Sequence, residues 1–208
     1  MKPALPAVRA VIFDCDGVLF DSERANIAFF NEVLANIGQP PLDAQGELMA
    51  HAMAGPQLLD ALFGHDPELR RRADQAARSL DYTPYFARME PVAELHGSLA
   101  RLAGRYRLAM ATNRGATVPE VIRRFELSRY FELAVGTLDV PRPKPAPDML
   151  LKCVEHFALA PEHALYVGDT PSDREAARAA GMHFVGVGKA IEAELRIGEL
   201  RELPDLLI

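Results

Sequence analysis

Apolar residues along this chain follow two rhythms. Short unbroken runs, Ala10–Phe13, Leu108–Ala111 and Ala164–Val167, each stop at polar residues: Asp14, then Thr112-Asn113, then Gly168-Asp169. Runs of this length predict strands buried on both faces, as in a parallel sheet. Leu133–Val135 and His183–Val187 are two further strand candidates. Between the runs, helical spacing extends over Val118–Phe125, Pro147–Phe157 and Ser172–Ala180. Strands alternating with helices predict an α/β fold with a sheet covered on both sides.

The rhythm changes after the first run. From Ser22 to Met89 the pattern reads as helix after helix, for example Arg24–Ile37 and Pro67–Leu80. An insertion of about 70 residues fits a small helical domain. The expected division is therefore a core of residues 1–20 and 92–208 and a helical domain of residues 21–91. The expected hinges are Phe20–Ser22 and the Pro84–Pro91 region, where prolines limit helix continuation. In the tail, Leu200, Leu203, Leu206 and Leu207 are expected to be packing surface.

Composition narrows the function classes. The 208 residues carry 29 acids against 23 bases, a net charge of −6, which argues against a general nucleic-acid binder. Cys15 and Cys153 make no disulfide framework, and no apolar run reaches the ~20 residues of a membrane helix. The reading is a soluble cytoplasmic protein with no nucleic-acid or membrane partner, a monomer or weak homodimer. A small anionic substrate stays compatible with the negative total, because a metal and a few cations can reverse the field inside one cleft.

Ligands in open parallel sheets bind beyond the carboxyl ends of the strands. Asp14 and Asp16, Thr112 and Asn113, and Asp169 all follow apolar runs, with Asp173 one turn further on and Lys144 set between Pro143 and Pro145. Taken alone, Asp14-Cys15-Asp16-Gly17 could be an ordinary turn, and Asp173 a helix-start residue favoured by the macrodipole. Taken together, these residues suit phosphoryl transfer. Carboxylates can hold Mg²⁺, one can act as a nucleophile, and another can move protons. Hydroxyl and amine donors can meet the charge on the phosphoryl oxygens.

These segments resemble the phosphatase branch of the haloacid dehalogenase superfamily. Asp14-Cys15-Asp16-Gly17-Val18 is similar to the first motif and Thr112 to the second. Lys144 in Lys-Pro-Ala-Pro-Asp is similar to the third, and Gly168-Asp169-Thr170-Pro171-Ser172-Asp173 to the fourth. The resemblance spans essentially the whole chain. It implies a Rossmann-like parallel sheet under an inserted four-helix cap, with Asp14 as nucleophile and Asp16 as acid and base. Mg²⁺ would be held by the Asp14 carboxylate, the Asp16 carbonyl and Asp169, with Asp173 in support. Thr112 and the Asn113 backbone would bind the phosphoryl group, and Lys144 would neutralise its charge. Closing such a cap would exclude bulk water.

Within the superfamily, Asp16 argues against dehalogenation. Thr112-Asn113-Arg114 resembles phosphoglycolate phosphatases, and Asn26 stands where a β-phosphoglucomutase-like enzyme carries histidine. Hydrolysis is therefore expected over phosphosugar isomerisation. A catalytically silent binding protein on the same fold would be expected to lose Asp14, Asp16 or Lys144. The segment His51–Gln57 contains no Lys or Arg. By resemblance it would meet the leaving group, with His51 as a contact, and the expected substrate is a small, weakly charged phosphorylated metabolite. Arg114 is a further candidate, reading a substrate carboxylate. Two other matches fail. Gly186-Val187-Gly188-Lys189 lacks the upstream glycine of a phosphate loop, and Val18 and Leu19 spoil a calcium loop. Arg70-Arg71-Arg72 reads as a solvated helix face.

Overall fold

The computed structural model describes residues 8–189 and 191–208, with the side chains of His51 and Ala52 outside that description. The chain forms two compact units. One holds the segments up to Phe20 and from Pro91 onward, the other Asp21–Glu90.

The first unit is built on a six-stranded sheet. Strands β1 (Ala10–Phe13), β4 (Arg107–Ala111), β5 (Phe131–Val135), β6 (Ala164–Gly168), β7 (His183–Val187) and β8 (Leu195–Ile197) stand in the order β5-β4-β1-β6-β7-β8. Every pairing is parallel. A two-stranded ribbon pairs the remaining strands, β2 (Phe20–Asp21) and β3 (Glu90–Pro91).

Both faces of the central strands are buried, as the unbroken apolar runs require. On one face Ala10, Ile12, Ala109, Ala111 and Tyr166 pack with helices α7 (Asp148–Phe157) and α8 (Pro171–Ala180) through Met149, Cys153, Phe157 and Ala177. The alternate residues Val11, Phe13, Leu108, Met110, Leu165 and Val167 are equally inaccessible. Helix α5 (Leu95–Ala103) contacts β4, and α6 (Val118–Arg124) contacts β5. The tail forms the short helix α9 (Leu203–Leu207), where Leu203 is buried and Tyr106 donates to the Leu207 carbonyl at 2.9 Å.

The second unit contains helices α1 (Glu23–Asn36), α2 (Ala44–Ala52), α3 (Gly55–Phe63) and α4 (Pro67–Ser79). Phe30, Val33, Leu34, Leu58, Leu59, Phe63 and Ala73 form its core. Two of the starts are fixed by side-chain caps. Asp43 accepts from Gly46 N before α2, and Asp66 accepts from Glu68 N and Leu69 N before α4, with Pro67 at the first helical position. The expected solvated face holds for Arg71, exposed beside Glu68, whereas Arg70 is half-buried against Asp60 and Arg72 donates to the Ile37 carbonyl.

Candidate active site

Three neighbouring strands, β4, β1 and β6, deliver the polar residues to one end of the sheet. Asp14 N still donates to the Val167 carbonyl and Thr112 N to the Val135 carbonyl, both at 2.9 Å. The sheet ladder thus continues into the first residue of each loop, which places Asp14 and Thr112 rigidly. Beyond Asp14 the chain turns at Gly17, whose φ of +75° favours glycine. A Cβ at Gly17 would lie 1.9 Å from an Asp169 carboxylate oxygen. Glycine there is what lets the β6 loop come up against the β1 loop.

Asp14, Asp169 and Asp173 gather so that one ligand atom from each lies within 4.8 Å of the others. The Lys144 ammonium sits among them, 3.0 Å from Asp14 Oδ1 and 2.7 Å from Asp173 Oδ1. The lysine is almost completely buried, so its position is fixed by partners and not by solvent. Asn113 anchors its backbone: the side-chain amide donates to the Lys144 carbonyl at 3.3 Å and accepts from Lys144 N at 3.1 Å. This contact comes from the Asn113 side chain, whereas the sequence drew attention to its backbone.

Asp173 is the most fully engaged carboxylate. Its Oδ2 accepts from Thr170 Oγ1 (2.6 Å), Thr170 N (3.0 Å) and Asp169 N (3.3 Å). Thr170 and Asp173 form a capping box at the start of α8, with Pro171 at the first position. Asp173 therefore serves the helix start and faces Lys144 at the same time. The helix end and its cap hold a carboxylate whose other oxygen meets Lys144.

Tyr166 is the residue sequence reading missed. Its hydroxyl accepts from Lys144 Nζ at 2.8 Å and lies 2.9 Å from Asp173 Oδ1 and 3.0 Å from the Ala111 carbonyl. The available signal was a hydroxyl inside an otherwise apolar strand, because a buried phenol needs a partner.

The charges shift one another. Burial pushes the Asp14 carboxyl up to about 8, only partly offset by Lys144 and reinforced by Asp173, Asp169 and Asp16. Burial works the same way on Asp173, but the Lys144 ammonium and the Thr170 bonds hold it below the usual carboxylate range. Burial would lower the Lys144 amine, yet Asp14 and Asp173 more than reverse that and keep it charged. Burial and the neighbouring Asp173 and Asp14 raise the Tyr166 phenol well above its ordinary value, so it stays neutral. Three carboxylates share one amine, and Asp14 is the one left short of positive charge.

Asp16 lies apart from the carboxylate cluster. Its two oxygens receive the Arg114 guanidinium, Nε at 2.9 Å and 3.1 Å and Nη2 at 2.6 Å. Thr112 is buried and accepts from Arg114 N at 3.2 Å. The structure thus brings Asp14, Asp16, Thr112, Asn113, Arg114, Lys144, Asp169 and Asp173 to the ends of adjacent strands. His51 belongs to the helical unit, and its side chain lies outside the described residues. Gln57, from the same segment, accepts from Ala54 N at 3.1 Å in the cap of α3. Asn26 accepts from the Tyr82 hydroxyl at 2.7 Å.

Comparison with known proteins agrees with this geometry. A family model described as haloacid dehalogenase-like hydrolase matches residues 11–187. A phosphoglycolate phosphatase of Nitrosospira multiformis is 33% identical, across 85% of this chain and 81% of that protein. The tyrosine-protein kinase PtkA of Mycobacterium tuberculosis is 32% identical, across 86% of this chain and 61% of its own length. The crystal structure of a haloacid dehalogenase superfamily hydrolase from Geobacter sulfurreducens is 37% identical, covers 97% of both chains and superposes with a TM-score of 0.77. With a parallel sheet, a cluster of carboxylates at its carboxyl end, a family model over most of its length and a phosphoglycolate phosphatase among its relatives, the chain belongs to the haloacid dehalogenase-like hydrolases and is a phosphatase of that family.

Proposed function

We propose that this phosphatase hydrolyses a small, weakly charged organic phosphomonoester through an aspartyl-phosphate on Asp14, with Mg²⁺ as its cofactor. The observation that carries the reading is the Lys144 ammonium 3.0 Å from Asp14 Oδ1, held there by Asp173 and Tyr166. A buried carboxylate beside a fixed cation is a nucleophile with a counter-charge already placed for the phosphoryl oxygens.

The donor set fits a divalent cation. Asp14, Asp169 and Asp173 bring three carboxyl groups against the single amine of Lys144, and a divalent cation would let all three ionise. Oxygen-only ligands suit Mg²⁺, which takes few carboxylates and retains water. Asp14 and Asp169 would hold it with the Asp16 backbone carbonyl, and Asp173 would support it while tying Lys144 to the Asp169 loop. When bound, the ion supplies charge stabilisation for the transferring phosphoryl group.

The residues divide the work. An Asp14 oxygen attacks phosphorus and the bond to the leaving oxygen breaks, that oxygen taking its proton from the Asp16 carboxyl. Asp16, now a carboxylate, accepts a proton from a water whose oxygen attacks the same phosphorus. The bond from phosphorus to Asp14 then breaks, releasing phosphate and restoring Asp14. Thr112 and Lys144 meet the phosphoryl oxygens in both halves. The substrate class rests on the segment His51–Gln57, which carries no Lys or Arg.

The test is phosphate release from a panel of phosphomonoesters with Mg²⁺, alongside acid-quenched labelling of the protein by radioactive substrate. Turnover with label on the wild type and none on Asp14→Asn supports the reading. No release from any ester overturns it, and so does full activity in Asp14→Asn. Isomerisation of a sugar phosphate instead of hydrolysis would move the assignment to a mutase, and a strong preference for polyanionic esters would overturn the substrate class.

A further inference from the structure

The Asp16–Arg114 contact joins two residues 98 positions apart, from the loops after β1 and β4. Both side chains are largely out of water, 14% and 6% exposed, and the guanidinium engages both carboxylate oxygens. The arginine backbone is itself fixed. Arg114 N donates to Thr112 Oγ1 at 3.2 Å, and its carbonyl accepts from Thr137 N at 2.8 Å, next to the end of β5. A planar fork anchored at its root sets the plane of a carboxyl group, which the single nitrogen of a lysine cannot do. The fork of Arg107 on Glu132 is 41% exposed on both sides, whereas this one is enclosed beside the carboxylate cluster.

We infer that Arg114 is a positioning residue for Asp16: it fixes the carboxyl plane so that one oxygen is aimed at the leaving oxygen of the substrate while the other stays on the guanidinium. Arg114 does not touch the reacting atoms in this role. The inference rests on the proposed aspartyl-phosphate route, in which Asp16 gives its proton to the leaving oxygen as the phosphorus–oxygen bond breaks. A misaimed Asp16 therefore harms esters whose alkoxide leaves badly without a proton. Esters of an activated phenol, which depart as stable phenolates, are spared. In a two-step route through a covalent intermediate, kcat/KM reports the steps up to leaving-group departure, so later water attack does not blur the comparison.

The experiment measures kcat/KM for wild type, Arg114→Lys and Asp16→Asn on dinitrophenyl phosphate, glycerol phosphate and phosphoglycolate. Expected for Arg114→Lys is a loss of about 30-fold or more on both alkyl esters and less than about threefold on the dinitrophenyl ester. Asp16→Asn should show the same pattern. Because Arg114→Lys could unfold by leaving a poorly paired buried charge, Arg114→Met/Asp16→Asn removes both partners together. That double variant should match Asp16→Asn on every ester, since residues acting as one unit are not additive.

Equal losses across all three esters would overturn the inference. So would a loss confined to phosphoglycolate and expressed in KM, which would make Arg114 a reader of substrate carboxylate. No loss in Arg114→Lys, or a further drop in the double variant, would also overturn it. A wild type that releases no leaving group from any ester overturns the phosphatase route itself and this inference with it.

Discussion

In the α/β unit, the buried charged side chains Asp14, Arg114, Lys144 and Asp173 sit together beyond the ends of β4, β1 and β6. The helical unit has none among the described residues, and its core runs through Phe30, Val33, Leu58, Leu59 and Phe63. One interior is arranged around chemistry and the other around packing. Buried charges are costly unless paired and add little stability when they are, whereas buried aliphatic area stabilises directly. The comparison implies that substitutions at the first site should change rate more than stability, and those in the second should do the reverse.

Asp14→Asn tests the first half most severely. It keeps the shape of the side chain, the Cys15 N contact at 2.7 Å included, but removes the proposed nucleophile. The expected loss in kcat is about 10⁴-fold or more, since removing a covalent nucleophile alone can cost about 10⁶-fold, with circular dichroism unchanged. A variant that loses its fold along with its activity would break the comparison, because Asp14 would then be holding the unit together.

In the helical unit, Leu58→Ala is the counterpart. Leu58 is wholly inaccessible, and truncating such a leucine costs about 2–5 kcal/mol through lost transfer energy and the cavity left behind. Urea titration should show that loss in the transition of this unit. A change below about 1 kcal/mol would mean the helical core is loosely packed and the contrast between the two interiors is overstated.

How much of this was legible in the sequence follows the same line. Strand ends could be read because an apolar run stopping at Asp14, Thr112 or Asp169 leaves two coincident signals, one from burial and one from chemistry. Strand β8 escaped notice: Leu195–Ile197 is three residues long with Arg196 in the middle, too short for alternation to register. The ribbon of Phe20–Asp21 with Glu90–Pro91 is shorter still. In the site, Tyr166 was hidden by its own ring, which counts as core in any hydrophobic pattern although its hydroxyl carries the contact to Lys144. The fork between Asp16 and Arg114 was illegible for another reason. Each residue stood out alone, but nothing local joins positions 98 apart until the β1 and β4 strands lie side by side.

A smaller effect sharpens the point that the charged interior is not there for stability. Without metal, the folded Asp14 carboxyl titrates near 8 while the unfolded one titrates near 3.8, chiefly because burial disfavours the ion. Its folded value is raised, so the protonated folded form is favoured below about 4, and that advantage is lost as pH rises through about 8. Asp173 works oppositely: its lowered value contributes stability above the ordinary carboxylate range that is lost on acidification. Metal-free protein should therefore lose stability between pH 4 and pH 8 on account of Asp14. In Asp14→Asn that decline should flatten, giving a Tm about 2–4 °C above wild type at pH 8, equivalent to roughly 1 kcal/mol in a chain of this size. Added Mg²⁺ should close the gap by stabilising the wild type alone. An Asp14→Asn variant less stable than metal-free wild type at pH 8 would show that the Lys144 pair outweighs the burial of excess negative charge.

The smallest expected effect uses two ion pairs of equal length. Arg71 Nη2 lies 2.6 Å from Glu68 Oε1 on α4, and Arg114 Nη2 lies 2.6 Å from Asp16 Oδ1 in the α/β unit. Distance alone would rank them together. The first pair is about two-thirds exposed on both sides and the second nearly enclosed, so water competes for one and not for the other. For Arg71→Ala the Tm should stay within about 1 °C of wild type, because an exposed pair on one helix gains little over its hydration. Salt should not change that result, since so little attraction is left to screen. A clear drop for Arg71→Ala, relieved by salt, would mean the helical unit also depends on its charges, and the division between a packed unit and a charged one would have to be redrawn.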